Sequence, residues 1–506
     1  MDILIASRTS DLARIQAYQV GEALKKTHSH LKVQYHFRQS LGDINQEDPL
    51  WAMPEKGVFT QDFREGLLQG RWDIVVHSWK DLPTEKFTAT EIVATLPRAD
   101  RRDLFLLKTA NLAKVQKNGR LTVFSSSPRR AHNLNKFFHS HFPASLNKVI
   151  FEPVRGNILT RVTKLKQSPD VDGIIVAKAA LDRLLLTENP EFSQNKKSLL
   201  SLLAGMKWQV LPLTLNPTAA AQGALAIEVA KDRQDLMTLL APLNCKSTWT
   251  AVHKERDHLQ ALGGGCHQKL GISHIIREYG EFTFVRGESP DGRCLDDNSF
   301  HPKTKIQGLK CPYSPREPWF QRERLSVQIP NGVNAHFVAR GFALPENILL
   351  PDEDLLWASG LKTWQDLAKR GLWVHGCSES LGEHETMGLD ALFTKPVWAK
   401  WTHDQSGPCD WGQRVDSYRL HPLSIQEDLG AYQEFFWMSG TQFQLALQHF
   451  PQILKARHFC GPGRTFTLIS KVLNEHKVKS TQLQALPHYE AWLQLVKEAK
   501  NESHPI

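Results

Sequence analysis

The sequence lacks most of the signatures that would mark a metal, nucleotide or membrane protein. Its seven cysteines, at 245, 266, 294, 311, 377, 409 and 460, form no CxxC or CxxxC pair, so no zinc knuckle can be read and no metal site is expected. There is no GxxxxGK(S/T) phosphate loop. Gly263-Gly264-Gly265 lacks the spacing of a dinucleotide fingerprint, which favours carboxylate over nucleotide ligands. No apolar run approaches membrane-spanning length, so no membrane role is expected. Arg8 and Asp11 stand where a signal peptide would need its apolar stretch, and scattered cysteines suit a reducing compartment; the expected location is the cytoplasm. No finger, RNA-binding signature or Lys/Arg-rich block accompanies the net charge of +9. Nucleic acid is therefore not an expected partner, and the charge suits a small polyanion.

What is present is an ordinary globular composition, 41% hydrophobic and 23% charged, in 506 residues, enough for roughly three or four domains. The first 230 residues alternate strand and helix patterns. Asp2–Ala6 reads as a strand, and Ser10 can cap a helix striped by Ala13, Ala17, Val20 and Leu24. Phe59, Phe63 and Leu67 mark one face of another helix. Asp73–Ser78, Leu121–Phe124, Lys148–Phe151 and Gly173–Ala177 read as further strands. Short β-rich runs between helices predict mainly parallel, covered sheets, two of them.

The strand ends carry the chemistry. The first runs into Arg8, the second into Lys80-Asp81, the third into Ser125-Ser126-Ser127-Pro128-Arg129-Arg130, the fourth into Arg155-Gly156-Asn157 with Arg161 beyond, and the fifth toward Arg183. In open α/β sheets, ligands bind beyond the carboxyl ends of strands, where helix N-termini point. One strand-end arginine means little, since surface ion pairs are common. Five basic strand ends together predict a deep site for a ligand with many carboxylates or phosphates. Within it Asp81 could stabilise a developing cation or move a proton; a helix cap or a salt bridge to Lys80 explains it equally well. Cys266 follows the three glycines, so its thiol can stand open on a loop, as a nucleophile, an attachment point, or an ordinary turn cysteine.

The chain up to about residue 320 resembles porphobilinogen deaminase, also called hydroxymethylbilane synthase. The resemblance rests on ordered motifs: Ser7-Arg8-Thr9-Ser10-Asp11-Leu12-Ala13, Lys56-Gly57-Val58-Phe59, Val76-His77-Ser78-Trp79-Lys80-Asp81-Leu82-Pro83, Arg98 with Arg101-Arg102-Asp103, Ser126-Ser127-Pro128-Arg129-Arg130, Val154-Arg155-Gly156-Asn157 with Thr160-Arg161, Ala180-Leu181-Asp182-Arg183-Leu184, Ala221-Gln222-Gly223-Ala224, and Gly264-Gly265-Cys266. It implies a dipyrromethane cofactor attached through Cys266 by a thioether. It also implies head-to-tail addition of four porphobilinogen units with loss of ammonia, then hydrolysis to hydroxymethylbilane. By the same resemblance Asp81 and Lys80 are catalytic. Arg129, Arg130, Lys80, Ser127 and Asp81 would bind the cofactor. Arg8, Ser10, Gln16, Arg155, Arg161, Arg183, Phe59 and Lys56 would bind substrate. Ser126 would add a hydroxyl, and Gln222 matches a residue near the hinge. Every pyrrole carries an acetate and a propionate, which the guanidinium forks would pair.

There are departures: Asp11 where the family has Pro, Pro128 where it has Leu, and His267-Gln268-Lys269 after the cysteine. Asp11 puts a negative charge near an anion site, and Pro128 should stiffen its turn. Met53-Pro54-Glu55 also replaces glycines in the loop before Lys56.

The remainder is similar, more loosely, to uroporphyrinogen-III synthase, chiefly at the Ser439 turn and at Gly461-Pro462-Gly463-Arg464-Thr465. The region reads as short for that two-lobed enzyme, and a docking or degenerate domain without chemistry fits it equally well. The fold expected is α/β throughout: two periplasmic-binding-protein-like α/β domains (1–100 with 222–243, and 101–221), a small α+β cofactor-bearing domain (244–322), and an α/β C-terminal domain (325–506). A monomer is expected. Three functions compete: the deaminase, a bifunctional enzyme that also makes uroporphyrinogen III, and a non-catalytic anion-binding module.

Overall fold

The structure, a computed structural model, describes residues 1–39, 61–85, 87–263, 269–303, 309–315, 317–383, 385–407, 409–487 and 489–502. The chain forms two compact units. One holds residues 1–140, 144–276 and 283–298; the other holds 141–143, 277–282 and 299–506.

The first unit is built on two five-stranded sheets. One has the order β2-β1-β3-β10-β4, with β1 Asp2–Arg8, β2 Lys32–Arg38, β3 Ile74–Ser78, β4 Thr90–Ala94 and β10 Leu225–Ala230. The other has the order β7-β6-β8-β5-β9, with β5 Asp103–Lys108, β6 Arg120–Phe124, β7 Lys148–Glu152, β8 Gly173–Ala177 and β9 Met206–Val210. The expectation of mainly parallel sheets holds with one correction: in each sheet a single strand, β10 or β5, runs against the other four. The reason is the chain path. Residues 95–102 carry the chain out of the first sheet into β5, and residues 211–224 bring it back into β10. Each reversed strand is thus the first one laid down after a crossing.

Local sequence explains the elements around the site. Ser10 is extended, and its Oγ accepts the Ala13 N–H, starting the Asp11–Thr27 helix. Ala17, Val20 and Leu24 of its predicted stripe are buried, and Ala13 is half-buried. The three buried residues pack with Ile3, Ile5, Ile74, Val76 and Ile227, burying the sheet face at about 1.5–3 kcal/mol per large apolar side chain. Phe63 and Leu67 are buried on the Gln61–Leu68 helix, whereas Phe59 lies outside the described residues. Pro128 sits at the first position of the Pro128–His141 helix, where a missing N–H costs nothing. The Lys246–Ala261 helix leads toward β11 Gly271–Arg277, which forms a three-stranded sheet with β12 Gly280–Glu288 and β13 Cys294–Pro302.

The second unit carries two further sheets. A four-stranded sheet has the order β14-β21-β22-β23 (Pro312–Tyr313, Glu434–Trp437, Arg457–Cys460, Leu483–Ala485). A six-stranded sheet has the order β15-β20-β19-β16-β17-β18 (Phe320–Arg324, Gln413–Pro422, Trp398–His403, Ala335–Val338, Leu355–Ala358, Gly376–Cys377). The chain starts in the first, leaves to build all of the second, and returns. Residues 373–375 lead into a two-residue strand, Gly376–Cys377. Short as it is, this region accommodates two sheets because several strands have only two to four residues. Its two halves repeat a local pattern, Trp357-Ala358-Ser359-Gly360 and Trp437-Met438-Ser439-Gly440, each ending a strand and opening a helix.

Candidate active site

β3 runs into a single tight turn, Trp79–Asp81. Trp79 is buried, with its ring centroid 5.4 Å from that of Trp249 and 5.5 Å from that of His253, which anchors the turn to the Lys246–Ala261 helix. Asp81 is exposed and accepts no hydrogen bond from any described residue, so neither a cap nor a bridge to Lys80 accounts for it. Lys80 Nζ donates to Gln222 Oε1 at 3.4 Å. Burial pushes its pKa down, and Arg130 and Arg129 push the same way against Asp81 and Asp103.

Arg129 and Arg130 converge on Asp103, the first residue of β5. Arg130 Nη2 donates to Asp103 Oδ1 at 2.6 Å, and Arg129 Nη2 donates to Oδ2 at 2.9 Å. Gln222 Nε2 donates to Oδ1 at 2.9 Å, and Asn216 Nδ2 to Oδ2 at 2.9 Å. Arg129 Nη1 also donates to Asn216 Oδ1 and to the Pro217 carbonyl, so both terminal nitrogens of Arg129 are committed within the protein. Arg130 Nη1 likewise reaches the Ile175 carbonyl at 3.3 Å, but its buried Nε has no partner among the described residues.

Arg183 donates from Nη2 to the Gly223 carbonyl at 2.9 Å, and its Nε is likewise buried without a partner among the described residues. Burial brings its pKa down to about 10, against the pull of Asp182. Arg161 Nε donates to the Gly156 carbonyl; burial, Arg130 and Arg155 lower its pKa while Asp81 raises it. Asp81, Arg130, Arg155 and Arg161 therefore share one electrostatic neighbourhood. Arg8, at the end of β1, is half-buried.

The predicted hydroxyls mostly serve the backbone. Ser127 Oγ accepts the Arg130 N–H at 3.4 Å at the start of the Pro128–His141 helix, and Ser126 Oγ is spent on both backbone groups of Val154. Gln16 is buried and exchanges hydrogen bonds with Ser78, two residues before Lys80, so it braces the turn from behind. Asp11 is held by Arg14 Nη2 at 2.7 Å and by Asn195, so its carboxylate is engaged within the protein. Lys56, Phe59 and Cys266 lie outside the described residues. The residues that flank the cysteine segment do not: Gly263 ends the Lys246–Ala261 helix with φ +69°, and Gly271 opens β11.

Sequence reasoning gave Asp103 no role. The only signal was an acid directly after Arg101-Arg102, at a strand start. Together, several cations and two buried guanidinium N–H groups without partners among the described residues make a donor set suited to a ligand bearing several carboxylates, with the Asp81 carboxylate beside it.

In the second unit, Arg464 opens a helix after the Gly461–Gly463 turn and reaches Ser406 Oγ at 3.2 Å, with Glu383 Oε1 at 3.5 Å. Glu383 also pairs with buried Lys400. Gly463 lies so close to Gly382 that an added Cβ would come within 2.8 Å of the Gly382 Cα. Ser439 Oγ accepts the Gln442 N–H at 3.3 Å.

A family model described as porphobilinogen deaminase, dipyromethane cofactor binding domain, matches residues 3–238. The chloroplastic porphobilinogen deaminase of Oryza sativa subsp. japonica is 34% identical over 303 residues, covering 59% of this chain and 77% of the rice protein. The porphobilinogen deaminase of Acidithiobacillus ferrooxidans is 33% identical over 291 residues (57% and 86%), and that of Lawsonia intracellularis 36% over 278 residues (54% and 81%). Among solved structures, YhfZ from Shigella flexneri aligns at 15% identity with a TM-score of 0.24, covering 51% of this chain and 91% of that one, a likeness too loose to bear on function. On the extent of its match to these deaminases, the chain belongs to the porphobilinogen deaminase family.

Proposed function

We propose that this chain is a hydroxymethylbilane synthase, joining four porphobilinogen units with release of ammonia and then hydrolysing off hydroxymethylbilane. The observation that carries this reading is the Lys80-Asp81 turn: a carboxylate without a partner among the described residues, in the same electrostatic neighbourhood as Arg130, Arg155 and Arg161.

The residues fit a dipyrromethane. Arg130, Lys80, Ser127 and Asp81 would hold it, with Arg129 buttressing from behind, and Cys266 would carry it. Once attached, the group supplies the free pyrrole position from which the product chain grows. Arg8, Ser10, Arg155, Arg161 and Arg183 face the acetates and propionates of incoming rings, and Gln16 braces the turn. Lys56 and Phe59 are assigned to the cover of the site by their motif alone. When ammonia leaves porphobilinogen, positive charge develops on that pyrrole. The Asp81 carboxylate stabilises it and accepts the proton that must leave the ring after bond formation. Two α/β domains, 1–100 with 222–243 and 101–221, frame the site, with 244–322 as the attachment domain. The enzyme works as a cytoplasmic monomer.

The test is an intact mass spectrum of the purified protein beside Cys266→Ser. An excess of two pyrrole units, absent from the variant, supports the reading. A bare polypeptide mass for both, from protein that also fails to consume porphobilinogen, moves the non-catalytic anion-binding module to the front.

A second reading concerns the C-terminal region, which we take as a uroporphyrinogen-III-synthase-like domain that cyclises the deaminase product. The two sheets, the chain path that leaves one to build the other, and the repeated Trp-x-Ser-Gly turns favour a two-lobed enzyme over a docking module.

A further inference from the structure

We propose that Asp103 is the positioning residue of the deaminase site, setting Arg130 and, through Gln222, Lys80 in one fixed arrangement. This rests on the reading that Arg130 and Lys80 hold pyrrole carboxylates.

Asp103 is fully buried and receives four N–H donors, two on each oxygen. Its accepting capacity is filled from within the protein, so it has none left for a ligand. Arg130 and Arg129 hold its carboxyl far below the usual range against the opposing effect of burial, so it stays charged and moves no proton. Its effect therefore passes through the groups it binds.

Those groups come from three places in the chain. Arg129 and Arg130 open the Pro128–His141 helix. Asn216 and Gln222 lie in the returning crossing, 211–224, and Asp103 itself ends the outgoing one. Gln222 is held in one orientation: Nε2 donates to Asp103 Oδ1 and to the Arg101 carbonyl, which leaves Oε1 for Lys80 Nζ. Its backbone carbonyl accepts from Arg98 Nε, and the Ala99 N–H donates to the Gly223 carbonyl. One carboxylate thus locks both crossings to a cation whose buried Nε–H has no partner among the described residues, and to the lysine beside Asp81.

A purely structural role explains this less well. Two guanidiniums on one buried carboxylate carry a net positive charge, and an apolar replacement of the same volume is often as stable or more so. What the ionic cluster provides is geometry, because a guanidinium pinned through its terminal nitrogens keeps its remaining N–H aimed.

The test uses full-length Asp103→Asn, Arg130→Leu and the double variant, reading melting temperature, intact mass, and kcat and KM for porphobilinogen. Asp103→Asn is expected to lower kcat about 10- to 100-fold, as loss of a supporting partner one shell from a site commonly does. In the Arg130→Leu background it is expected to cost little more, since the two act as a unit. Unchanged kinetics in Asp103→Asn, or losses that simply multiply in the double variant, overturn the proposal. Full turnover in Arg130→Leu removes the reading of the site beneath it, and the proposal falls with that reading. If Asp103→Asn does not fold, Gln222→Met takes one donor from the same carboxylate and the acceptor from Lys80. A severalfold lower kcat at an unchanged melting temperature supports the proposal, and an unchanged kcat overturns it.

Discussion

Gly271 lies against the side chain of Arg129: a Cβ added there would sit 3.1 Å from Arg129 Cδ and 2.0 Å from the Pro217 carbonyl oxygen. Gly271 follows Cys266 by five residues. The strand that leaves the cysteine segment is therefore seated on one of the arginines that Asp103 holds.

Gly271→Ala is expected to destabilise the protein by about 1–3 kcal/mol, because the blocking atom is a main-chain oxygen that cannot swing away. It should also leave part of the protein without its two-pyrrole mass excess. Thermal unfolding and intact mass read the two effects. A variant with wild-type melting and full attachment would contradict the packing argument.

Asp81→Asn should keep the melting temperature and the attached cofactor, since the carboxylate bonds to no described residue. Turnover should fall about 100- to 10,000-fold, the range for removing a group that moves a proton in the transition state. Normal turnover would take Asp81 out of the mechanism.

Arg155→Leu should weaken elongation by leaving carboxylates of incoming rings unpaired, with a higher KM for porphobilinogen and partly extended enzyme species in the mass spectrum. A normal saturation curve would count against it.

The C-terminal unit should lose stability on mild acidification before the deaminase unit does. Burial lowers the pKa of His458 and of His403 to about 4, from an ordinary value of 6.5. A depressed folded pKa means stability is fully present above 6.5 and falls as pH drops toward 4. For fully buried His458 the loss is roughly 3 kcal/mol. In the deaminase unit, Glu228 has its pKa lowered to about 2 from 4.5 by hydrogen bonds and charge from His77 and Arg64 against burial, so its contribution is lost only between pH 4.5 and about 2. Limited proteolysis from pH 7 to 4.5 should cut beyond residue 299 first; simultaneous cleavage of both units would refute the order.

Full-length protein given porphobilinogen should yield uroporphyrinogen III. Hydroxymethylbilane left alone cyclises to the symmetric type I isomer, so the isomer ratio reads the C-terminal domain directly. Arg464→Leu, which removes the cation held by Ser406 and Glu383, should shift the product toward type I while porphobilinogen consumption stays unchanged. Type I alone from the unmodified protein would make the C-terminal region a domain without this chemistry.

The sequence by itself determined what is local. The Ser10 cap, the buried stripe of the Asp11–Thr27 helix, most of the strands and the basic residues beyond their ends follow from side-chain period and capping chemistry, which act over a few residues. The tertiary structure alone decided which charge meets which. Asp103 and Gln222 are 119 positions apart, and nothing near either one marks the other as a partner. Arg129 and Arg130 look alike in sequence and both commit their terminal nitrogens inward, yet Arg130 keeps a buried Nε–H without a partner among the described residues. The reversed strands β5 and β10, and the two sheets folded from the short C-terminal stretch, belong to the same class. Strand direction and pairing depend on where a crossing enters a sheet, and that is settled by long-range packing, which no periodicity records.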